Sequence, residues 1–409
     1  MTPELFTVGV TGTNGKTSTT RWTAACLGRL ARPVAQTTTL GSFLDDEPFA
    51  CSRDWEGFLA TMRAAAERGG RYAAIELTSE ALARGFARVW PCRVGVFTNL
   101  SHDHLDAHGS PEHYLASKAQ LFLSLPEGGA AVLNACDAAA ALVAEVVPAG
   151  VRIVRYGVPS RGEPHADPEI LATSVEPSWD GTRVAVRLRG FGDEASPELR
   201  LRAIGDVYAE NALAALGAAL ASGVPLSDAI AALAEAPVPR GRFERVAHEA
   251  HGPHVVVDYA HTPDALARTI ATARALCRGT LVVVFGAGGD RDVAKRAPMG
   301  AASSRADRVV LTSDNPRGED PARIADAIRA GIEPGTDVRV VLDRHEAIRG
   351  AVLDAGKDDV ILVAGKGHET DQTVGGVTRP FDDAAVAREA LSLRERSGAS
   401  SPSSSTSGR

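Results

Sequence analysis

Between Gly12 and Thr17 the chain reads Gly-Thr-Asn-Gly-Lys-Thr, and these residue types imply phosphate chemistry. Gly12 and Gly15 bare backbone N–H groups in the turn, and a helix starting there would aim its positive end at an anion. Lys16 would neutralise the outer phosphates of a bound nucleotide, and the Thr17 hydroxyl would hold Mg2+. The strict signature wants glycine where this chain has Val10, so the pattern is met in part. A chance glycine-rich strand-to-helix turn is the alternative. Glu76 ends an apolar run at 72–77, and a carboxylate at the carboxyl end of a parallel strand points into the crevice where ligands sit. An exposed edge carboxylate is the other reading. Residues 101–108 follow the apolar run 93–100 and hold two aspartates and three histidines, a metal-site composition. Such residues also fill polar loops, and Mg2+ requires no histidine. Lys118, inside a helical run at 110–125, reads on its own as a solvated helix residue.

The second half carries four further polar stretches, each directly after an apolar run. They are Asp-Tyr-Ala-His-Thr-Pro at 258–263, the glycine loop 286–296, Asp-Asn-Pro-Arg at 314–317 and Gly-Lys-Gly-His-Glu at 365–369. Taken alone, Asp-Asn-Pro-Arg is as readily an ordinary turn.

These residues need elements to hold them. An apolar run at 5–10 predicts a strand into the phosphate loop, and helical spacing follows at 19–31. Strands are expected at 33–39, 72–77, 93–100 and 151–158, with helices at 55–68, 110–125, 137–147, 207–222 and 226–235. Between 163 and 201 short alternating runs predict exposed antiparallel strands, a small sheet beside the main one. Pro-Val-Pro-Arg-Gly at 237–241 marks the domain boundary. Beyond it five predicted strands alternate with four helices and a glycine loop, which implies a second parallel sheet with helices on both faces. The fold class expected is therefore α/β in two domains. The first, 1–238, is of the P-loop ATPase type, with a mostly parallel sheet plus the small antiparallel one, and 239–396 is Rossmann-like. Residues 397–409 form a serine-rich, coreless tail.

A net charge of −7, from 44 basic and 51 acidic residues, lacks the basic imprint of a nucleic-acid partner. The five cysteines are scattered and never paired as Cys-x-x-Cys, which argues against both a disulfide framework and a zinc site and fits a reducing cytoplasm. No apolar run approaches the length of a membrane helix, and the loop begins too near residue 1 for a signal peptide.

Taken together, the motifs resemble one family, the Mur ligases, over residues 6–380. The resemblance is strongest to the branch that adds the third residue to UDP-N-acetylmuramoyl-alanyl-glutamate, through residues 258–266, 288–296, 314–317 and 365–369. It implies an ATP-dependent, ADP-forming ligase that converts an acceptor carboxylate to an acyl phosphate and joins it to an amino acid's amine in peptidoglycan-precursor synthesis. The implied ATP contacts are Gly12, Thr13, Asn14, Gly15, Lys16, Thr17 and Ser18 in the loop, with Asn211, Arg242 and Asp258 near the adenine and ribose. Thr17 and Glu76 would hold one Mg2+. His104 and Lys118 would serve a second, Lys118 as a carbamate, because a bare ammonium cannot ligate a cation. Thr78 and Ser79 would face the acceptor. Arg291, Asp314, Asn315, Arg317, Gly365 and Glu369 would bind the amino acid, with Asp-Asn-Pro-Arg the variant associated with meso-diaminopimelate and Arg317 a forked partner for its carboxylate. Lys16, Glu76, His104 and Lys118 are the expected catalytic set. One domain would hold ATP and acceptor, the other the amino acid, and closure would exclude water from the acyl phosphate. The expected enzyme is a cytoplasmic monomer acting on small molecules or peptides.

The pattern departs from the family around the acceptor. Enzymes of this branch carry a preceding domain that grips the UDP end, and here the sequence opens on the ATPase domain. Residues 50–54 read Ala-Cys-Ser-Arg-Asp where Thr-Thr-Pro is expected, and Glu80 stands in the place of a histidine. Two alternatives stay open. One is a ligase acting on a UDP-free acceptor, in the manner of folylpolyglutamate synthase or the ligase half of cyanophycin synthetase. The other is a non-catalytic sensor of ATP or the amino acid.

Overall fold

The computed structural model describes residues 5–100, 110–192, 194–246 and 252–399. The chain divides into two compact units, one up to Pro237 and one from Val238.

The first unit is built on a sheet of eleven strands. In chain order they are β1 (Phe6–Thr11), β2 (Ala35–Thr38), β3 (Gly41–Leu44), β4 (Glu47–Pro48), β5 (Tyr72–Glu76), β6 (Val94–Phe97), β7 (Ala130–Asn134), β8 (Arg152–Gly157), β9 (Ile170–Ser178), β10 (Gly181–Leu188) and β11 (Glu198–Leu201). Across the sheet the order is β11-β10-β9-β8-β7-β6-β1-β5-β2-β3-β4. β1 lies between β5 and β6 and runs parallel to both. β2 and β5 lie on one side of β1 and β6 on the other, so the strand order reverses there and a crevice opens at the carboxyl ends. The antiparallel strands expected after residue 163 are β9, β10 and β11. They extend the large sheet, because β9 pairs in parallel with β8 at Tyr156–Ile170 and Gly157–Leu171.

The helix after the loop is Lys16–Leu27, which starts and ends earlier than its apolar spacing indicates, because Gly15 in the left-handed conformation turns the chain directly into it. The alanine-rich helix Asp206–Ala221 is buried continuously from Tyr208 to Ala219, with Glu210 and Asn211 enclosed among its apolar side chains. The core on the other face gathers Met62, Ile75, Phe97, Leu121 and Phe122.

The second unit holds a six-stranded sheet of β12 (Glu244–Val246), β13 (His254–Asp258), β14 (Leu281–Phe285), β15 (Arg308–Leu311), β16 (Asp337–Val340) and β17 (Val360–Ala364), ordered β12-β13-β17-β14-β15-β16. All neighbours are parallel except β12 with β13. β14 and β17 are buried at every residue, matching their unbroken apolar sequences. Each Val, Ile or Leu so buried contributes about 1.5–3 kcal/mol. A hairpin, β18 (Asp371–Val374) and β19 (Val377–Pro380), follows, turning at Gly375 and Gly376 with φ +57° and +77°. The last helix, Asp383–Ala399, continues into the stretch assigned to the tail, and residues 400–409 lie outside the described residues.

Candidate active site

Strand registers assemble the first cluster. Val10 of β1 sits beside Glu76 of β5, and Thr11 beside Phe97 of β6, so the loop leaving β1 emerges between Glu76 and the Thr98-Asn99 pair. A Cβ on Gly12 would lie 1.8 Å from the Thr98 hydroxyl, and one on Gly15 2.2 Å from Asn211 Oδ1. Only glycine fits at these two positions, where φ is +150° and +81°. Asn99 clasps the loop. Its carbonyl accepts from the Thr13 N–H at 2.8 Å and its Oδ1 from the Asn14 N–H at 2.9 Å, while the Thr98 hydroxyl donates to the Asn14 carbonyl at 2.6 Å.

The Thr17 hydroxyl donates to Glu76 Oε2 at 2.8 Å, and the same oxygen accepts from the Thr39 N–H at 3.2 Å. Lys16 folds its ammonium onto the Thr13 carbonyl at 2.6 Å. Ser18 is buried in the first helical turn. Lys118 lies on the helix Pro111–Leu123, whose start is set by Ser110 capping the His113 N–H and by proline at the first position. It is 1% exposed, donates to the Gly12 carbonyl at 2.7 Å and stands 4.2 Å over the Tyr114 ring. A side chain that reads as solvated is thus enclosed beside the phosphate loop. Asn211 is buried on the helix Asp206–Ala221 and accepts from the Thr19 hydroxyl at 3.5 Å. Thr78 caps the short helix Ser79–Ala83 by accepting from the Ala81 N–H, Ser79 is buried, and Glu80 pairs with Arg84 at the surface. His104, with the rest of 101–109, lies outside the described residues.

Beneath this cluster Glu210 accepts from Asn134 Nδ2 at 2.9 Å and faces Arg161 at 3.3 Å. Burial pushes its carboxyl above the usual range, and Arg161 opposes that rise. Thr17 and Glu76 offer a hydroxyl and a carboxylate, hard oxygen donors of the kind Mg2+ takes. Among the described residues no group of three His, Cys, Asp or Glu side chains converges.

The second cluster sits at the carboxyl ends of β13, β15 and β17. Asp314 is buried, and burial raises its carboxyl while Arg344 and Lys366 pull it down. Gly365, at φ +114°, leaves room for it, since a Cβ there would lie 2.5 Å from Asp314 Oδ2. Asn315 Nδ2 donates to Glu369 Oε2 at 2.8 Å. Arg317, at φ +53°, donates to the Gly289 carbonyl at 2.7 Å, while its N–H bonds the Thr373 carbonyl at 3.1 Å. Arg291 is exposed on the neighbouring loop. Asp258 is buried with both oxygens engaged, by the Phe243 N–H at 2.6 Å and the Ala260 N–H at 2.8 Å. Burial lifts its carboxyl and Arg242 lowers it. The Arg242 guanidinium stands 4.6 Å over the Tyr259 ring.

Several residues in these clusters escape sequence reasoning. Thr98 and Asn99 follow β6 with no motif to mark them. Arg344, fully buried, makes a two-pronged ion pair with Asp383 at 2.7 Å and bonds the carbonyls of Ser313 and Ala364. Lys366 is also fully buried, and its place inside Gly-Lys-Gly-His-Glu is the one signal that could have found it.

Comparison with known proteins matches residues 10–219 to the Mur ligase middle domain and residues 241–367 to the Mur ligase, glutamate ligase domain. The chain is 40% identical over 401 residues to the UDP-N-acetylmuramoyl-L-alanyl-D-glutamate–2,6-diaminopimelate ligase of Thermosynechococcus vestitus, covering 95% of this chain and 77% of that one. It is 37% identical over 402 residues to the ligase of the same name from Bacillus velezensis, covering 95% and 79%. A solved structure bearing that enzyme name superposes with TM-score 0.69 at 32% identity, covering 96% of this chain and 80% of the other. Mycobacterium tuberculosis folylpolyglutamate synthase complexed with ADP superposes with TM-score 0.71 at 23% identity, covering 95% and 90%, and shows the fold alone.

Proposed function

The chain belongs to the Mur ligase family, and on that premise we propose that it is an ATP-dependent, ADP-forming ligase joining meso-diaminopimelate to UDP-N-acetylmuramoyl-alanyl-glutamate in peptidoglycan-precursor synthesis. The observation that carries this reading is the junction of the phosphate loop with Glu76 and Lys118, with the Thr17 hydroxyl 2.8 Å from one and the Gly12 carbonyl 2.7 Å from the other.

An oxygen of the acceptor carboxylate attacks the γ-phosphorus of ATP, the bond to ADP breaks, and an acyl phosphate forms. The amine of the amino acid attacks its carbonyl carbon, phosphate leaves, and the amine gives up a proton. Lys16, released from the Thr13 carbonyl, would meet the charge on the transferring group, and the loop N–H groups would hold the phosphates. Thr17 and Glu76 would hold one Mg2+ and His104 with a carbamylated Lys118 a second; bound there, the ions neutralise phosphate charge. Carbamylation gives Lys118 anionic oxygen in place of an ammonium. Asn211, Arg242 and Asp258 are assigned to the nucleoside and Thr78 and Ser79 to the acceptor. In the second unit, Arg317 and Arg291 would take the amino acid's carboxylate and Glu369 its ammonium, with Asp314, Asn315 and Gly365 shaping the site. No helix among the described residues is long and apolar enough to cross a membrane. The proposal places the enzyme in the cytoplasm, as a monomer, where ATP and UDP-linked precursors occur.

The test is phosphate release from ATP and Mg2+ with meso-diaminopimelate, comparing the UDP-linked acceptor with UDP-free peptides and carboxylates and identifying products by mass. Turnover of the UDP-linked acceptor supports the reading. Turnover of only a UDP-free acceptor would redirect the same chemistry to another pathway, which the departures at residues 50–54 and at Glu80 make the natural second reading. No turnover with any acceptor would favour a sensor.

A further inference from the structure

The loops carrying Asn315 and Glu369 share one buried cation, and we infer that Lys366 is the positioning residue that presents Glu369 to the ammonium of the incoming amino acid. The inference rests on the reading that this unit binds the amino acid. The Lys366 side chain is 0% exposed, with its ammonium 3.1 Å from Glu369 Oε2 and 3.2 Å from Asn315 Oδ1.

The orientation of the Asn315 amide follows from its partners. The Thr373 backbone N–H, which can only donate, lies 3.0 Å from the same Oδ1. Oδ1 is therefore the acceptor of both bonds, and Nδ2 must be the atom that donates to Glu369 Oε2 at 2.8 Å. One carboxylate oxygen of Glu369 thus takes two bonds, from an ammonium and an amide. Among the described residues Oε1 takes none, and the side chain is 32% exposed. A carboxylate pinned by one oxygen and open at the other is a preorganised acceptor for a second ammonium.

Scaffolding alone does not account for this lysine. A buried ammonium is costly unless its partners hold it, and an apolar side chain would fill the space at lower cost. The strand ends are already joined from below by Arg344, which bonds the carbonyls of Ser313 and Ala364. What Lys366 adds is the orientation of Glu369, directly and through the Asn315 amide that bonds the same carboxylate oxygen.

The test compares Lys366→Met, Glu369→Gln and the double variant in the full chain, reading KM for meso-diaminopimelate, KM for ATP, kcat and thermal midpoint. Lys366→Met is expected to raise the amino-acid KM by about 10–100-fold, the range for a hydrogen bond to a charged group. The expected change in kcat and in KM for ATP is under about twofold. Lys366→Arg, keeping the charge, should recover part of the loss. Because Lys366 acts through Glu369, adding Lys366→Met to Glu369→Gln should cost little more. Full multiplication of the two effects, or an unchanged KM in Lys366→Met, overturns the inference. If Lys366→Met does not fold, Lys366→Gln carries the same cycle. A wild-type protein that turns over no diaminopimelate sinks the underlying reading instead.

Discussion

The Thr17 hydroxyl donates to Glu76 Oε2 across 59 residues of sequence, a bond possible because β1 and β5 are parallel neighbours with Val10 opposite Glu76. Glu76 has no part in the apolar core, so its contribution is to the chemistry of the loop. Glu76→Ala should lower kcat by about 10²–10³-fold, as loss of a preorganised electrostatic group does elsewhere, with little change in thermal midpoint. Phosphate release across a Mg2+ titration checks it, and wild-type activity at any Mg2+ concentration would refute the assignment.

Lys118 is enclosed between the Gly12 carbonyl and the Tyr114 ring, where a carbamate would bring negative charge to the phosphate loop. Lys118→Ala should lose about 10²–10³-fold in kcat. A short carboxylate added to the assay should restore part of it, whereas chloride should not. Equal response to both salts would argue against an anionic oxygen at this position.

Arg344 and Asp383 form an ion pair with neither side chain exposed. Arg344→Met leaves a buried carboxylate uncompensated and should destabilise the second unit by about 3–5 kcal/mol. Replacing both, as Arg344→Met with Asp383→Leu, should recover most of that. Urea denaturation followed by far-ultraviolet circular dichroism measures both, and a double variant no better than the single would contradict the account.

Three buried carboxyls, Glu210, Asp258 and Asp314, are each raised by burial. A raised folded-state value means that the native state binds more protons than the unfolded chain in the window between the two values. Stability from these groups therefore falls as pH climbs from the ordinary value, 4.5 for Glu210, through the raised one. Glu210→Gln should flatten that slope, seen as a smaller drop in urea midpoint from pH 4.5 to pH 8. A steeper drop would reverse the sign argued here.

How much of this was legible depended on whether a residue carries a signal in its own stretch of sequence. Gly12, Gly15, Glu76, Asn315 and Glu369 stand out because each ends a strand or belongs to a short motif, and strand ends in open parallel sheets are where ligands gather. Lys118 stands out through family resemblance, since a lysine in a helical run gives no sign that its neighbours will bury it. Asn99 and the Arg344–Asp383 pair lack any such local motif, and only the fold brings them to partners 85 and 39 residues away. The hairpin of β18 and β19 gives no signal in the sequence because its strands lack apolar alternation, β19 being exposed throughout and β18 at both ends. For Asp258, position at a strand end was readable, but its engagement by two backbone N–H groups was not.

The clasp of Asn99 and Thr98 on the phosphate loop has a thermodynamic consequence for nucleotide capture. Residues 13 and 14 are held by bonds from the end of β6, so the entropy of ordering them is lost when the chain folds and not when the nucleotide arrives. Loosening the clasp, as Asn99→Ala would, transfers that loss to the binding step, so that weaker affinity would show as a less favourable binding entropy.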